Sequence, residues 1–452
     1  MIREPLRVSE LVIRSRRVVT PEGVRPASLR IRDGKISGVD GEDSTAAGTR
    51  ILDFGDAVVM PGLVDTHVHV NEPGRTDWEG FKTATRAAAA GGVTTLIDMP
   101  LNSIPPTTTA GGLEEKRRSA AGRCFVDVGF WGGLVPGNTS ELSELRGAGV
   151  FGFKAFLVPS GVSEFPEVSE KDLAGAMPIL AQSGALLLAH AELPDRIDSG
   201  WKGDGRSYPA YLASRPGVAE SAAVRLLARL CRETGCRVHV LHLSSADAVE
   251  TLVEARREGL PMTAETCPHY LFFASEEVPD GATPFKCAPP IREAANRERL
   301  WVALAAGAVG MIVSDHSPAP PEKKMIDSGD FREAWGGIAS LELTLAATWT
   351  AASQRGFGIA DVAEWMCKAP AILSGLGLRK GTFAPGADAD IVVWAPEESY
   401  EVVPARLHQR HKLTPYAGRT LKGPVLATFL RGERIYDRGA FPAGPIGELL
   451  RP

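Results

Sequence analysis

The chain has 452 residues, 44% of them hydrophobic, and a formal net charge of −5 with both signs spread along its length. Such a chain can fill more than one compact core, so two domains, or one large barrel plus an accessory, are expected. No basic block points to nucleic acid, no acidic tail to a disordered arm, and no run of about 18 uncharged apolar residues to a membrane span.

Met1 to Thr20 is charged throughout and has no apolar segment, so no signal peptide is expected. The six cysteines, at 124, 231, 236, 267, 287 and 367, form no C-x-x-C pair and no regular framework. That usage fits a reduced, cytoplasmic protein.

Residues 1–60 read as short β-strands. Leu11–Val19, Ala27–Ile31 and Ile36–Val39 are β-rich, and Arg32-Asp33-Gly34-Lys35 is a hairpin turn. The pattern changes at Met60-Pro61-Gly62. From 61 to about 380, eight apolar strands are predicted, at 63–70, 93–99, 124–131, 150–157, 185–190, 237–243, 261–266 and 310–315. Ala-rich stretches between them, such as Lys82–Ala90, Ala219–Glu233 and Asp247–Glu258, suit helices. Eight β/α units predict an α/β fold of the TIM type, a (β/α)8 barrel with its active site at the C-terminal strand ends. In 381–452 the β-rich character returns, with a strand in Gly386–Trp394 and a hairpin from Val425 to Tyr436. The two chain ends, 1–60 and 381–452, are expected to form one small β-sandwich beside the barrel.

The chemistry-bearing residues fall at those strand ends. His67 and His69 are two apart in a strand and so share a face. A lone H-x-H is weak, since a core role explains many such pairs. Joined by His190 and His242, it points to a metal centre that leaves a position open for water. Lys154, between Phe153 and Phe156, reads plainly as a surface lysine. In an apolar strand a bare ammonium is costly, and a neutral amine can add carbon dioxide to give an anionic carbamate that bridges two metals. Asp315 has a turn-like setting, Ser314-Asp-His-Ser317, that would suit a cap. Its place after the eighth strand favours a metal ligand that also acts as the catalytic general base. His239 points away from His242 and is not expected to be a ligand. His269 either lines the site or makes a structural hydrogen bond. His316 has no clear role, and His408 and His411 read as structural.

Pro61-Gly-Leu-Val-Asp-Thr-His-Val-His69, Phe153-Lys154, His190-Ala-Glu192, His239-Val-Leu-His-Leu-Ser-Ser245 and Ser314-Asp-His-Ser-Pro318 resemble the cyclic amidohydrolases of the amidohydrolase superfamily. That group includes dihydroorotases, hydantoinases, dihydropyrimidinases and allantoinases, and the resemblance runs nearly end to end. It implies two divalent metal ions, expected to be zinc. His67, His69 and Asp315 would hold the more buried ion, His190 and His242 the second, and carbamylated Lys154 would bridge them. A homo-oligomer, a tetramer, is implied by the resemblance alone.

Details within the group resemble the allantoinase branch: Asn71–Phe81, Lys286–Arg292, Ala334–Ile338 and His411–Arg419. Dihydroorotases usually carry an arginine two residues after the second histidine; here Asn71 stands there. Hydantoinases usually carry a tyrosine five residues after the bridging lysine; here it is Pro159. Ala288 departs the other way, because relatives commonly have serine before Pro-Pro-Ile-Arg. The resemblance implies hydrolysis of the cyclic amide of allantoin to allantoate, a small-molecule reaction. Asn71, Asn102, Ala288, Ser317 and Gly337 are the candidate substrate contacts. A hydantoinase or dihydropyrimidinase of broader ring specificity is the alternative. A non-catalytic scaffold homologue is a second, disfavoured because such relatives tend to lose metal ligands and this chain keeps all six positions.

Overall fold

The computed structural model describes residues 10–41 and 50–452. The reading of Met1–Thr20 as free of a leader therefore falls partly on residues outside those described. Two sheet systems organise the chain.

The first comes from both ends of the chain. Eight strands follow the order 433–437, 425–430, 391–394, 58–61, 11–20, 23–32 and 35–40, with 50–53 pairing on 11–20. The predicted turn at Asp33-Gly34 joins two of them, both residues at positive φ. Strand alternation gives the sheet two apolar faces. Ile391, Val393, Val59 and Phe429 pack with Ile13, Leu29 and Ile36 in one cluster. Val392, Trp394, Val58 and Met60 point the other way, into the large core of the remaining chain.

The second system carries the predicted β/α alternation. Its strands are β1 (Leu63–Val68), β2 (Val93–Asp98), β3 (Asp127–Phe130), β4 (Phe153–Phe156), β5 (Leu186–His190), β6 (Arg237–Val240), β7 (Met262–Thr266) and β8 (Met311–Ile312). All neighbours pair parallel, β1 to β2 to β3 and then, through Gly132–Gly133, β4 to β8 in turn. Beyond β8, His316 bridges back to Val68 in parallel, and the His69 amide donates to the His316 carbonyl at 2.8 Å. Helices Phe81–Ala90, Ala110–Ala120, Leu142–Ala148, Glu170–Gln182, Gly217–Thr234, Val249–Arg257 and Ala294–Ala305 fill the crossovers. The helix Glu170–Gln182 starts on a capping box between Ser169 and Asp172, which satisfies amides that helix hydrogen bonds leave free.

Period-2 alternation also sorts the strand side chains. Leu187 and Ala189 pack outward in the main core. Leu186 and Leu188 join Ile97, Trp131 and Phe156 in a separate inner cluster. His190 has the parity of Leu186 and Leu188, and Lys154 that of Phe156, so both functional side chains are carried on the inner face. Beyond the hairpin, the last residues return to β3: Val128 and Leu449 form a parallel bridge. No helix among the described residues is long and apolar enough to cross a membrane.

Candidate active site

The six predicted ligand positions meet in space. His67 Nε2 lies 3.1 Å and His69 Nε2 3.7 Å from one oxygen of Asp315. Lys154 Nζ stands 3.4 Å from His67 Nε2. The His242 ring is 5.2 Å from that of His67 and 4.6 Å from that of His190, centre to centre. Phe156 stacks on His190 at 4.7 Å. All six side chains are buried. His242 and Asp315 sit just past the ends of β6 and β8, at φ of 37° and 44°. Positive φ is uncommon for such residues and clusters where structure forces a side chain into a site.

Electrostatics follow from that burial. Desolvation, and then the Lys154 charge, hold the His67 and His69 pKa values well below the ordinary imidazole value. His242 is likewise held down, by burial and then by His190. The rings are therefore neutral, the form that binds metals. Burial pushes the Lys154 ammonium down and the Asp315 carboxyl up, each opposed by the other's charge. His67, His69 and Asp315 each offer a donor atom within 4.8 Å of the others. His242 Nδ1 is buried without a hydrogen-bond partner among the described residues. Such a donor set, four imidazoles and a carboxylate around a lysine, fits divalent metal ions.

The residues open onto a cavity of about 790 Å³. His69, Lys154, His190, His242 and Asp315 line it, with Asn102, Ala288 and Ser317 from the candidate contacts. Asn71 lies behind that wall and donates to the Pro318 carbonyl at 3.3 Å. Gly337 also lies behind it; a Cβ there would fall 2.2 Å from the Ser317 carbonyl oxygen, so only glycine fits.

A model of the amidohydrolase family matches residues 58–435, which span every one of these positions. The chain belongs to the amidohydrolase family. It is 54% identical over 442 residues to an allantoinase of Streptomyces avermitilis, covering 98% of each chain. It is 43% identical over 456 residues to an allantoinase of Arabidopsis thaliana, covering 97% of this chain and 90% of that one. Among solved structures, the L-hydantoinase (dihydropyrimidinase) of Arthrobacter aurescens superposes with a TM-score of 0.92 at 31% identity, over 98% of this chain and 100% of that one.

In this amidohydrolase several further residues support the site in roles that the sequence did not assign. Glu265, in β7, holds His67 Nδ1 at 2.5 Å through one oxygen and His239 Nε2 at 3.0 Å through the other. Glu192 holds His190 Nε2 at 2.7 Å. Burial would raise that carboxylate, but the Arg215 charge and the His190 contact hold it down to about 2. A glutamate inside an apolar strand, as in Met262–Thr266, was the available signal for Glu265. Asp65 accepts from the His67 and Ser314 amides and so ties β1 to the segment after β8.

The remaining histidines separate. His239 faces Glu265 and Thr263 rather than the cavity. His269 is buried beside Cys267 and Asp315, with neither ring nitrogen hydrogen-bonded among the described residues. His316 Nδ1 accepts from the Ser340 amide at 3.1 Å, so its Nε2 carries the proton and donates to Glu79 at 3.3 Å. His408 pairs with Glu342, and His411 Nε2 donates to the Asp77 carbonyl at 2.7 Å.

Proposed function

We propose that this amidohydrolase opens the hydantoin ring of allantoin to give allantoate. The observation that carries the reading is the joint placement of His69, His190, His242, Lys154 and Asp315 around one cavity, with His67 packed against Asp315 and Lys154, in a chain 54% identical to an allantoinase over 98% of its length. The enzyme is a hydrolase of cyclic amides.

His67, His69 and Asp315 would hold one divalent ion, His190 and His242 a second, and Lys154, carbamylated by carbon dioxide, would bridge them. Zinc suits this nitrogen and oxygen donor set. When bound, such ions lower the pKa of water and polarise a carbonyl. The chain's own residues do the rest. Asp315 accepts the proton of the attacking water and delivers it to the departing ring nitrogen. That delivery matters because an amide anion is a poor leaving group. Asn102, Ala288 and Ser317 line the cavity where the ring would sit; Gly337 packs against Ser317, and Asn71 donates to the neighbouring Pro318 carbonyl. Pro159 lines the cavity where hydantoinases usually carry a tyrosine, so the oxyanion donor differs; Ser317 beside Asp315 is the candidate.

The parallel strand pairing and the His69-to-His316 link support reading 61–380 as a closed (β/α)8 barrel. Segments 1–60 and 381–452 then make the accessory β-sandwich. Six buried free cysteines fit a cytoplasmic setting. The homotetramer rests on resemblance. The test is an allantoin ring-opening assay on protein purified without chelators, with metal content measured in parallel. Activity that tracks metal supports the reading, and an inert, fully metal-loaded enzyme removes it.

A further inference from the structure

Lys324 is buried, yet no carboxylate pairs with it among the described residues. Its Nζ donates to three backbone carbonyls: Lys286 at 3.1 Å, Trp335 at 2.8 Å and Gly337 at 2.8 Å. An ammonium has three N–H groups, so this cradle uses all of them. Burial pushes its pKa down to about 7. A buried ammonium is costly to desolvate, and an apolar side chain in its place would leave the three carbonyls without this donor.

The three carbonyls belong to two segments that build one wall of the cavity. The Gly337 amide also donates to the Lys286 carbonyl, at 2.9 Å. Lys286 Nζ reaches back to the Ala334 carbonyl at 2.5 Å and to that of Arg332 at 3.3 Å. The wall facing the cavity includes Ala288, Trp335 and Gly336, and a Cβ on Gly336 would sit 3.7 Å from that of Ala288. Ala288 and Gly336 present little side chain, so what they offer a ligand is mainly backbone. Backbone recognition works only if the carbonyls and amides are held at fixed angles.

We propose that Lys324 is a positioning residue for substrate: it locks the 286–288 and 335–337 backbones against each other, and so sets the wall that holds the cyclic amide. The proposal rests on the cyclic-amide reading of the cavity. It separates binding from chemistry, because Lys324 touches none of the six residues at the reaction centre.

The test uses metal-loaded Lys324→Met and Lys324→Gln enzymes. KM should rise roughly tenfold or more in Lys324→Met, and less in Lys324→Gln, whose amide keeps two N–H groups. The kcat should stay within about threefold of wild type, with metal content unchanged. Wild-type KM in Lys324→Met overturns the proposal, as does a fall in kcat with KM untouched. If Lys324→Met does not fold, Lys324→Gln decides: raised KM with full metal content supports positioning, and unchanged KM overturns it. If the wild type leaves allantoin intact but opens another cyclic amide, the allantoin reading fails and the same comparison is made on that amide.

Discussion

Glu265 and His67 stand 2.5 Å apart, carboxylate oxygen to Nδ1, with both side chains fully buried. The contact fixes the ring. A carboxylate beside Nδ1 keeps the proton on that nitrogen, which turns the Nε2 lone pair toward Asp315 and Lys154. The second Glu265 oxygen is taken by His239, itself held by Thr263. One strand, β7, thereby sets the tautomer of a histidine on the distant β1.

Glu265→Gln should therefore weaken metal retention. Loss of such a supporting carboxylate typically costs about 10–100-fold in metal affinity or activity. Competition with a chelator, followed by elemental analysis, measures it. Wild-type retention would show that His67 is oriented by packing alone.

Lys154→Ala should lose metal and activity together, and a small carboxylic acid should partly restore both. Lys154→Arg should be inactive, because guanidinium stays charged and cannot take up carbon dioxide. Wild-type-like turnover in Lys154→Arg would remove the bridging role.

Asp315→Asn keeps the shape and one ligand oxygen but cannot take the proton. The kcat should fall by roughly a hundredfold or more, with some metal retained. Near-normal turnover at neutral pH would assign the proton to another group.

Lys380 is a structural counterpart to these residues. Its buried ammonium sits 2.6 Å from Asp127, 2.8 Å from Asp388 and 2.7 Å from Asp390, joining β3 to the terminal sheet segment. Asp127 retains Arg431 and Asp388 retains Arg379, but Asp390 is left without a cation among the described residues, so Lys380→Met should cost about 3–5 kcal/mol of stability. Denaturant unfolding reads this directly, and a midpoint equal to wild type would contradict it.

The alternation of apolar strands and Ala-rich helices was legible from sequence because each strand buries both faces. The strands β1 to β8 fall inside the predicted ones, whereas the terminal strand Gly23–Arg32 runs beyond the predicted Ala27–Ile31 and strands 50–53 and 58–61 were not predicted. The eighth is the shortest, Met311–Ile312 against the predicted 310–315, because Asp315 takes positive φ and the chain turns to deliver it. The convergence of the six candidate side chains was legible from position and parity. His67 and His69 alternate correctly, and His190 and Lys154 share the parity of inward apolar neighbours. The roles of Glu265, Glu192 and Lys324 were not legible. Glu265 meets its partner across 198 residues of chain, and Lys324 acts on carbonyls, which sequence does not display. The return of residues near 449 to β3 was equally hidden, since nothing local in that tail marks a strand partner.

The most direct test of the central claim is substrate preference. Allantoin is neutral and carries a ureido arm. Dihydroorotate carries a carboxylate, which needs a fixed positive partner when buried. Asn71 stands where an arginine would supply it, and Pro159 where hydantoinases carry a tyrosine. Parallel hydrolysis assays at equal enzyme and substrate, with metal and bicarbonate supplied, should rank allantoin above hydantoin and dihydrouracil, with dihydroorotate essentially inert. Faster turnover of dihydrouracil or a 5-substituted hydantoin than of either allantoin enantiomer would contradict the account and leave a hydantoinase in its place.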